Sequence, residues 1–380
     1  MKIVTVVGAR PQIIKAAALS RAIRNSFAES ITEIIIHTGQ HYDANMSQVF
    51  FDELGIPQPN YNLNIGSATH GVQTARMIEG IEKILLAEKP NFIVLYGDTN
   101  STLAGTIAAS KIHIPIVHIE AGLRSFNKSM PEEINRIMCD HASSLLFSPT
   151  KTGFSNLINE GFKPDLKEPF TADNPGIFHC GDVMFDNSLF FSEIALKNNE
   201  VVKSNNLEAG NFILGTIHRD NNTDQPKRLN SIFRSLVSIS ENNEIDIVLP
   251  LHPRTAKLLE VNLDCDILEK VEKSKRIKLI PPVSFLEMIV LESKAKLVMT
   301  DSGGVQKESY FFKKPCIILR SETEWKEIVE EGAAIVADAD EKKIIESFDY
   351  FNEKSDLHFP LIFGDGKASE FICESMLKSL

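Results

Sequence analysis

Short runs of β-branched and aliphatic residues alternate, almost from end to end, with stretches whose apolar side chains recur at three- and four-residue steps. A period near two followed by one near 3.6 predicts strand–helix–strand units, and repeated units of that kind predict a parallel sheet. Strands are expected at KIVTVV, TEIIIH, FIVLY, IPIVHI and LLFS in the first half. In the second half they are expected at IFHC, NFILGTI, IDIVLPL, IKLIP, KLVMT, PCIIL and AAIVA. GVQTARMIEGIEKILLAEK carries the helical period between two of them, and the closing KASEFICESMLKSL carries it again. The proline-rich polar stretch KPDLKEPFTADNPG reads as a linker. It divides the chain into α/β domains at 1–175 and 176–360, with 361–380 as a helix packing back across the junction.

Length agrees with two cores, since 380 residues exceed what one core usually organises. With 43% hydrophobic and 24% charged residues, the composition is that of a globular protein rather than a disordered or fibrous one. A net charge of −11 without any basic stripe argues against nucleic acid as a partner. An anionic ligand must then be met by local cations and backbone N–H groups. The five cysteines show no metal-ligand spacing, which suits a reducing cytoplasm, and neither an export signal nor a membrane span is predicted.

In open parallel sheets the ligand crevice lies beyond the carboxyl ends of the strands, so the residue after each apolar run is informative. Here those residues are Arg10 and Lys15, Asp98, Glu120, His218 and Arg219, His252, Asp301 and Ser302, and Arg320. Helix capping explains an Asp or Ser at such a place, but does not call for Arg, His and Glu. The run TDSGGVQKES after KLVM sets Ser302, Gly303 and Gly304 at a helix start, where free N–H groups and the helix dipole favour an anion. A capping turn is the plain alternative. Neither a G-x-G-x-x-G nor a Walker pattern is present. In MPEEINR, Glu132, Asn135 and Arg136 fall on one helical face.

Taken in order, GARPQIIK, HTGQHYD, YGDTNSTLAG, HIEAGLR, MPEEINR, TIHRDNN, LPLHPR, TDSGGVQKES, LRSETEW and FGDGKAS resemble the non-hydrolysing UDP-N-acetylglucosamine 2-epimerases along nearly the whole chain. The resemblance implies two Rossmann-like domains of the glycosyltransferase-B kind with the active site in the interdomain cleft. It also implies a UDP-sugar substrate, a homodimer, and neither a nicotinamide cofactor nor an obligatory metal. By the same resemblance Asp98, Glu120 and Glu132 are acid/base candidates, joined by His218 in catalysis. Arg10, Lys15, Arg136, His252, Met288, Ser302, Gly303, Gly304 and Glu308 are substrate-binding candidates, Glu308 on the ribose. Crowded carboxylates are expected to raise at least one pKa. The chemistry is consistent with this. Carbon 2 of the sugar has no adjacent carbonyl, so inversion there needs either transient oxidation by a dinucleotide or departure of the anomeric UDP. The missing glycine fingerprint favours departure.

Several positions differ from the family pattern. Met288 stands where many members carry an aromatic contact to uracil, with Phe285 as a possible substitute, and Trp325 replaces an arginine near the nucleotide. Gln40 and His41 match part of a regulatory pocket, but GSATHG lacks its arginine, so substrate activation does not carry over. GARPQ, HRDNNTD and TEW resemble a branch acting on UDP-2,3-diacetamido-2,3-dideoxyglucuronate, whose carboxylate would want a further cation, with Arg124, His252 and Arg254 as candidates. The parent sugar is the first expectation and the uronate the alternative. A glycosyltransferase and a silent nucleotide-sugar binder are the rivals that the same fold allows.

Overall fold

A computed structural model describes residues 1–39, 55, 57–197 and 200–380; Gln40 and His41 of the HTGQHYD motif lie outside them. The described residues form β1 Lys2–Val7, β2 Thr32–His37, β3 Tyr61–Asn62, β4 Phe92–Tyr96, β5 Ile116–Ile119, β6 Leu145–Ser148 and β7 Gly176–His179. Further along come β8 Phe212–Thr216, β9 Asp246–Pro250, β10 Ile277–Ile280, β11 Leu297–Thr300, β12 Cys316–Ile318 and β13 Ala334–Val336. They make one sheet in the order β3-β2-β1-β4-β5-β6-β7 and another in the order β10-β9-β8-β11-β12-β13, with every pairing parallel. Each run read as a strand from the sequence is one. Parallel strands covered on both faces should be apolar throughout. β4 and β5 are buried at every position.

The chain divides into two compact units, Met1–Asn187 with Leu361–Leu380, and Ser188–Pro360. This differs from a junction near residue 175. β7 pairs with β6, Leu145 opposite Gly176, so the run expected to open the second half instead completes the first sheet. KPDLKEPFTADNPG is therefore a crossover inside the first unit. The helix Ala368–Lys378 also belongs to that unit. Buried Asp186 accepts the backbone N–H of Ala368 at 3.2 Å and of Ser369 at 2.7 Å, capturing the donors that a helix start leaves unpaired.

In the first unit Val4, Val6, Ile36, Met77, Ile81, Ile93 and Leu95 pack together as core. In the second, Ile213, Phe233, Leu236, Ile247, Leu249, Met299 and Phe348 do so. Both sheets reverse direction of strand order beside their own first strand, between β1 and β4 and between β8 and β11. At such a reversal the flanking loops diverge and leave a crevice at the carboxyl edge. Residues 8–10 and 97–98 flank that crevice in one unit, and residues 217–219 and 301–304 in the other.

Candidate active site

In the first unit, the turn after β4 and the residue after β5 bring two carboxylates to the switch point. Lys15, on the helix Arg10–Ala22, donates to the Glu120 carboxylate, both side chains being 13% exposed. Glu120 is held with φ of +74°, a left-handed conformation costly for a residue with a side chain. Its N–H and that of Ala121 share the Phe147 carbonyl at 3.0 Å, which fixes the turn. Gly97 has φ of +60°, and a Cβ there would stand 3.1 Å from Glu120 Oε2 and 3.2 Å from Lys15 Nζ. The close approach of backbone and ion pair is what requires glycine here. Next along the chain, Asp98 pairs with Arg136 Nη2, and Asn135 Nδ2 donates to the Asp98 carbonyl at 2.9 Å.

Arg136 also donates through Nη1 to Glu133 at 2.7 Å. Burial opposes its charge, but Asp98 and Glu133 outweigh that and hold its pKa above the ordinary value. Burial likewise works against ionised Glu133, yet N–H groups of Ser125 and Phe126, each at 2.9 Å, and Arg136 hold its carboxyl below the usual range. The structure therefore matches Asp98, Glu120 and Glu133 each with a cation rather than leaving carboxylates crowded against one another. Glu132 stands outside this set: it is exposed on the first turn of the helix Pro131–Ala142, while Asn135 and Arg136 are buried. Arg10 opens its helix, exposed, one residue from Ala9 at the β1 edge.

In the second unit, the helix Gly303–Phe311 starts at the β11 edge with Ser302 as its cap, Oγ accepting the Val305 N–H at 3.5 Å. Buried Asp301 accepts the N–H groups of His218, at 3.1 Å, and Arg219, at 3.0 Å, and Asn222 Nδ2 at 3.1 Å. It thereby pins the loop after β8 beside the helix start, with half-exposed His218 placing Nδ1 3.4 Å from its carboxylate. A Cβ on Gly303 would meet only Glu324 at 3.5 Å and Arg320 at 3.8 Å, and one on Gly304 only Glu308 and Ser302, both at 3.9 Å. Those are ordinary contacts, so the protein's own packing does not demand glycine at 303 or 304. The absence of both side chains leaves room in front of the helix's first N–H groups. Arg320 holds Glu324 through two bonds of 3.0 and 2.9 Å, which places a cation at this opening. Trp325, buried, donates Nε1 to the Gly303 carbonyl at 2.9 Å and so braces the turn.

Glu308 is half-buried on the same helix, and Met288 is half-buried on the helix Phe285–Lys294. Phe285 is spent elsewhere, edge-on to Phe191 with ring centroids 5.5 Å apart. His252 is exposed and caps the helix Pro253–Asn262, Nδ1 accepting the Arg254 N–H at 3.3 Å. Sequence reasoning missed Glu133, whose signal was the three-residue step to Arg136. It also missed the buried Glu292, whose two oxygens find no hydrogen-bond partner among the described residues. Burial and the facing Glu308 push the Glu292 carboxyl well above the usual range, so it is a neutral acid.

Of two doubly wound units, then, one carries a glycine-lined helix start beside Arg320 and the other carboxylates paired with cations at its switch point. The family model described as UDP-N-acetylglucosamine 2-epimerase matches residues 24–377, and the chain belongs to that family. It is 47% identical over 378 residues, the full length of both chains, to the UDP-2,3-diacetamido-2,3-dideoxy-D-glucuronate 2-epimerase of Pseudomonas aeruginosa. It is 43% identical over 375 residues, 98% of each chain, to the UDP-N-acetylglucosamine 2-epimerase of Methanocaldococcus jannaschii. The crystal structure of the M. jannaschii UDP-GlcNAc 2-epimerase in complex with UDP-GlcNAc and UDP matches with a TM-score of 0.84 at 42% identity, covering 100% of both chains.

Proposed function

We propose that the protein inverts carbon 2 of UDP-N-acetylglucosamine to give UDP-N-acetylmannosamine, by anti elimination of UDP to 2-acetamidoglucal and its return. One carboxylate of the first unit takes the carbon 2 proton as the carbon 1–oxygen bond to UDP breaks. UDP then adds back to carbon 1 while carbon 2 receives a proton on the opposite face. Asp98, Glu120 and Glu132 are the acid/base groups, and His218 assists at the leaving diphosphate. Lys15 pairs with Glu120 and Arg136 with Asp98, which orients both carboxylates. The diphosphate meets the N–H groups of residues 303 and 304 with Arg10 and Arg320, and Glu308 takes the ribose hydroxyls. Preorganised donors of this kind each contribute about 10²–10³ in rate. Met288 and His252 complete the nucleotide contacts. The observation that carries the reading is the open helix start at Gly303 and Gly304, which the fold leaves vacant of side chains for no reason of its own.

The alternative substrate, UDP-2,3-diacetamido-2,3-dideoxyglucuronate, is supported by the full-length match to the P. aeruginosa enzyme. Two of the cations considered for a uronate are engaged: Arg124 with Asp140 and Glu160, and Arg254 with Asp220 and Asp224. A homodimer in the cytoplasm completes the proposal; all five cysteines are unpaired, as a reducing compartment would keep them. Proton NMR of the protein with each nucleotide sugar tests it. Manno isomer from the parent sugar is expected. Turnover of the uronate alone moves the assignment to the alternative, and sugar loss only with an added acceptor means a glycosyltransferase.

A further inference from the structure

His118 is the polar member of the otherwise apolar strand β5, and its side chain is fully buried. Nε2 lies 2.8 Å from the Gly97 carbonyl oxygen, which can only accept, so this nitrogen carries a proton. Nδ1 lies 2.6 Å from Asp140 Oδ1. The other Asp140 oxygen receives Arg124 Nη1 at 2.7 Å and the Gly122 N–H at 3.1 Å, an environment that keeps Asp140 ionised and accepting. Nδ1 must then donate as well, and a ring with two donors is an imidazolium. The groups around it agree: burial opposes the charge, but Cys139 and Asp140 outweigh that and hold its pKa well above the usual histidine value. Arg124 is in turn neutralised by Glu160 at 2.6 Å.

Stability alone does not call for such a row of buried charges, because apolar residues of like volume serve as well or better. What this row does is reach the Gly97 carbonyl, and Gly97 is the residue against which the Lys15–Glu120 pair rests and from which Asp98 follows. We propose that His118, as a permanent imidazolium anchored by Asp140, is the positioning residue that sets the Gly97–Asp98 turn and thereby the placement of two of the acid/base carboxylates, Asp98 and Glu120. The inference rests on Asp98 and Glu120 being among the acid/base groups.

Two readouts separate it from that reading. In long-range ¹⁵N–¹H spectra of the intact protein at pH 9, one of the ten histidines should show both ring nitrogens protonated. That signal should vanish in His118→Gln and shift in Asp140→Asn. Ten neutral rings at pH 9 overturn the proposal, whatever the protein's activity. In turnover, His118→Gln, which restores one donor without the charge, should lower kcat about 10²-fold, the scale expected for misplaced catalytic groups. KM and UDP affinity should stay within about twofold. An unchanged kcat, or kcat and UDP affinity falling together, also overturns it. Should His118→Gln fail to fold, Asp140→Asn carries the same kinetic expectation.

Discussion

Replacing Gly303 by alanine separates a ligand-binding turn from a merely structural one. The added methyl would stand 3.5 Å from Glu324 and 3.8 Å from Arg320, so nothing has to move to admit it. Position 303 is the first residue of a helix and has no left-handed backbone requirement. Gly→Ala where the backbone is already compatible stabilises by about 0.4–1 kcal/mol, chiefly by narrowing the unfolded ensemble. In a unit of this size that raises Tm by about 1–4 °C. In the proposed site the same methyl would occupy the space through which a phosphate reaches the turn's N–H groups. Losing one charge-assisted hydrogen bond costs about 1.5–3 kcal/mol, which is about a 10- to 150-fold rise in the Kd for UDP. Thermal unfolding and titration calorimetry with UDP on the same preparations read both effects. A variant that melts no lower yet binds UDP at least tenfold more weakly is expected. UDP affinity unchanged within a factor of two would refute the phosphate reading, and a large loss of stability would refute the packing argument.

At Gly97 the opposite result is expected. Alanine there must adopt a φ near +60° and push on the Lys15–Glu120 pair, so it should destabilise by about 1–2 kcal/mol from backbone strain alone, with turnover reduced and UDP affinity retained. Asp98→Asn and Glu120→Gln should each cut kcat at least about 10²-fold with UDP binding intact; equal losses of binding and turnover would assign them to ligand holding instead. Glu292 gives a pH test. Unfolded, it ionises above about pH 4.5, whereas the folded chain keeps its proton because of burial and Glu308. The folded state then binds more protons, so this group's contribution is full at low pH and is lost as pH rises toward its folded pKa, with a slope of at most about 1.4 kcal/mol per pH unit. Urea unfolding between pH 5 and 9 should show Glu292→Gln gaining on the wild type as pH rises; a constant difference would contradict the neutral-acid assignment.

Much of the architecture was legible because buried parallel strands are continuous apolar runs, and KIVTVV, FIVLY and KLVMT announce themselves. β3 was not, since Tyr61 and Asn62 pair through the backbone without any such run. The division of the chain was misplaced because nothing local distinguishes IFHC as the last strand of one sheet from the first of the next; only its pairing with β6 decides. Strand-end logic pointed to Asp98 and Glu120 in one unit and to His218 and Asp301 in the other, since topology brings each pair to the carboxyl edge of its own sheet. It could not supply their partners. Lys15 and Glu120 are separated by 105 residues, and their meeting depends on how β1, β4 and β5 lie side by side. Helical phase likewise could not say that Glu133 rather than Glu132 faces Arg136 inward. His118 carried a signal that was passed over, a polar residue inside an apolar strand.

Turnover of UDP-N-acetylglucosamine in deuterated water, without added dinucleotide, addresses the central claim most directly. The account predicts that the manno product carries solvent deuterium at carbon 2, because a carboxylate takes the carbon 2 proton as UDP leaves and a solvent-derived proton is delivered to the other face. Product inverted at carbon 2 yet free of deuterium, or turnover only when a nicotinamide dinucleotide is supplied, would contradict it.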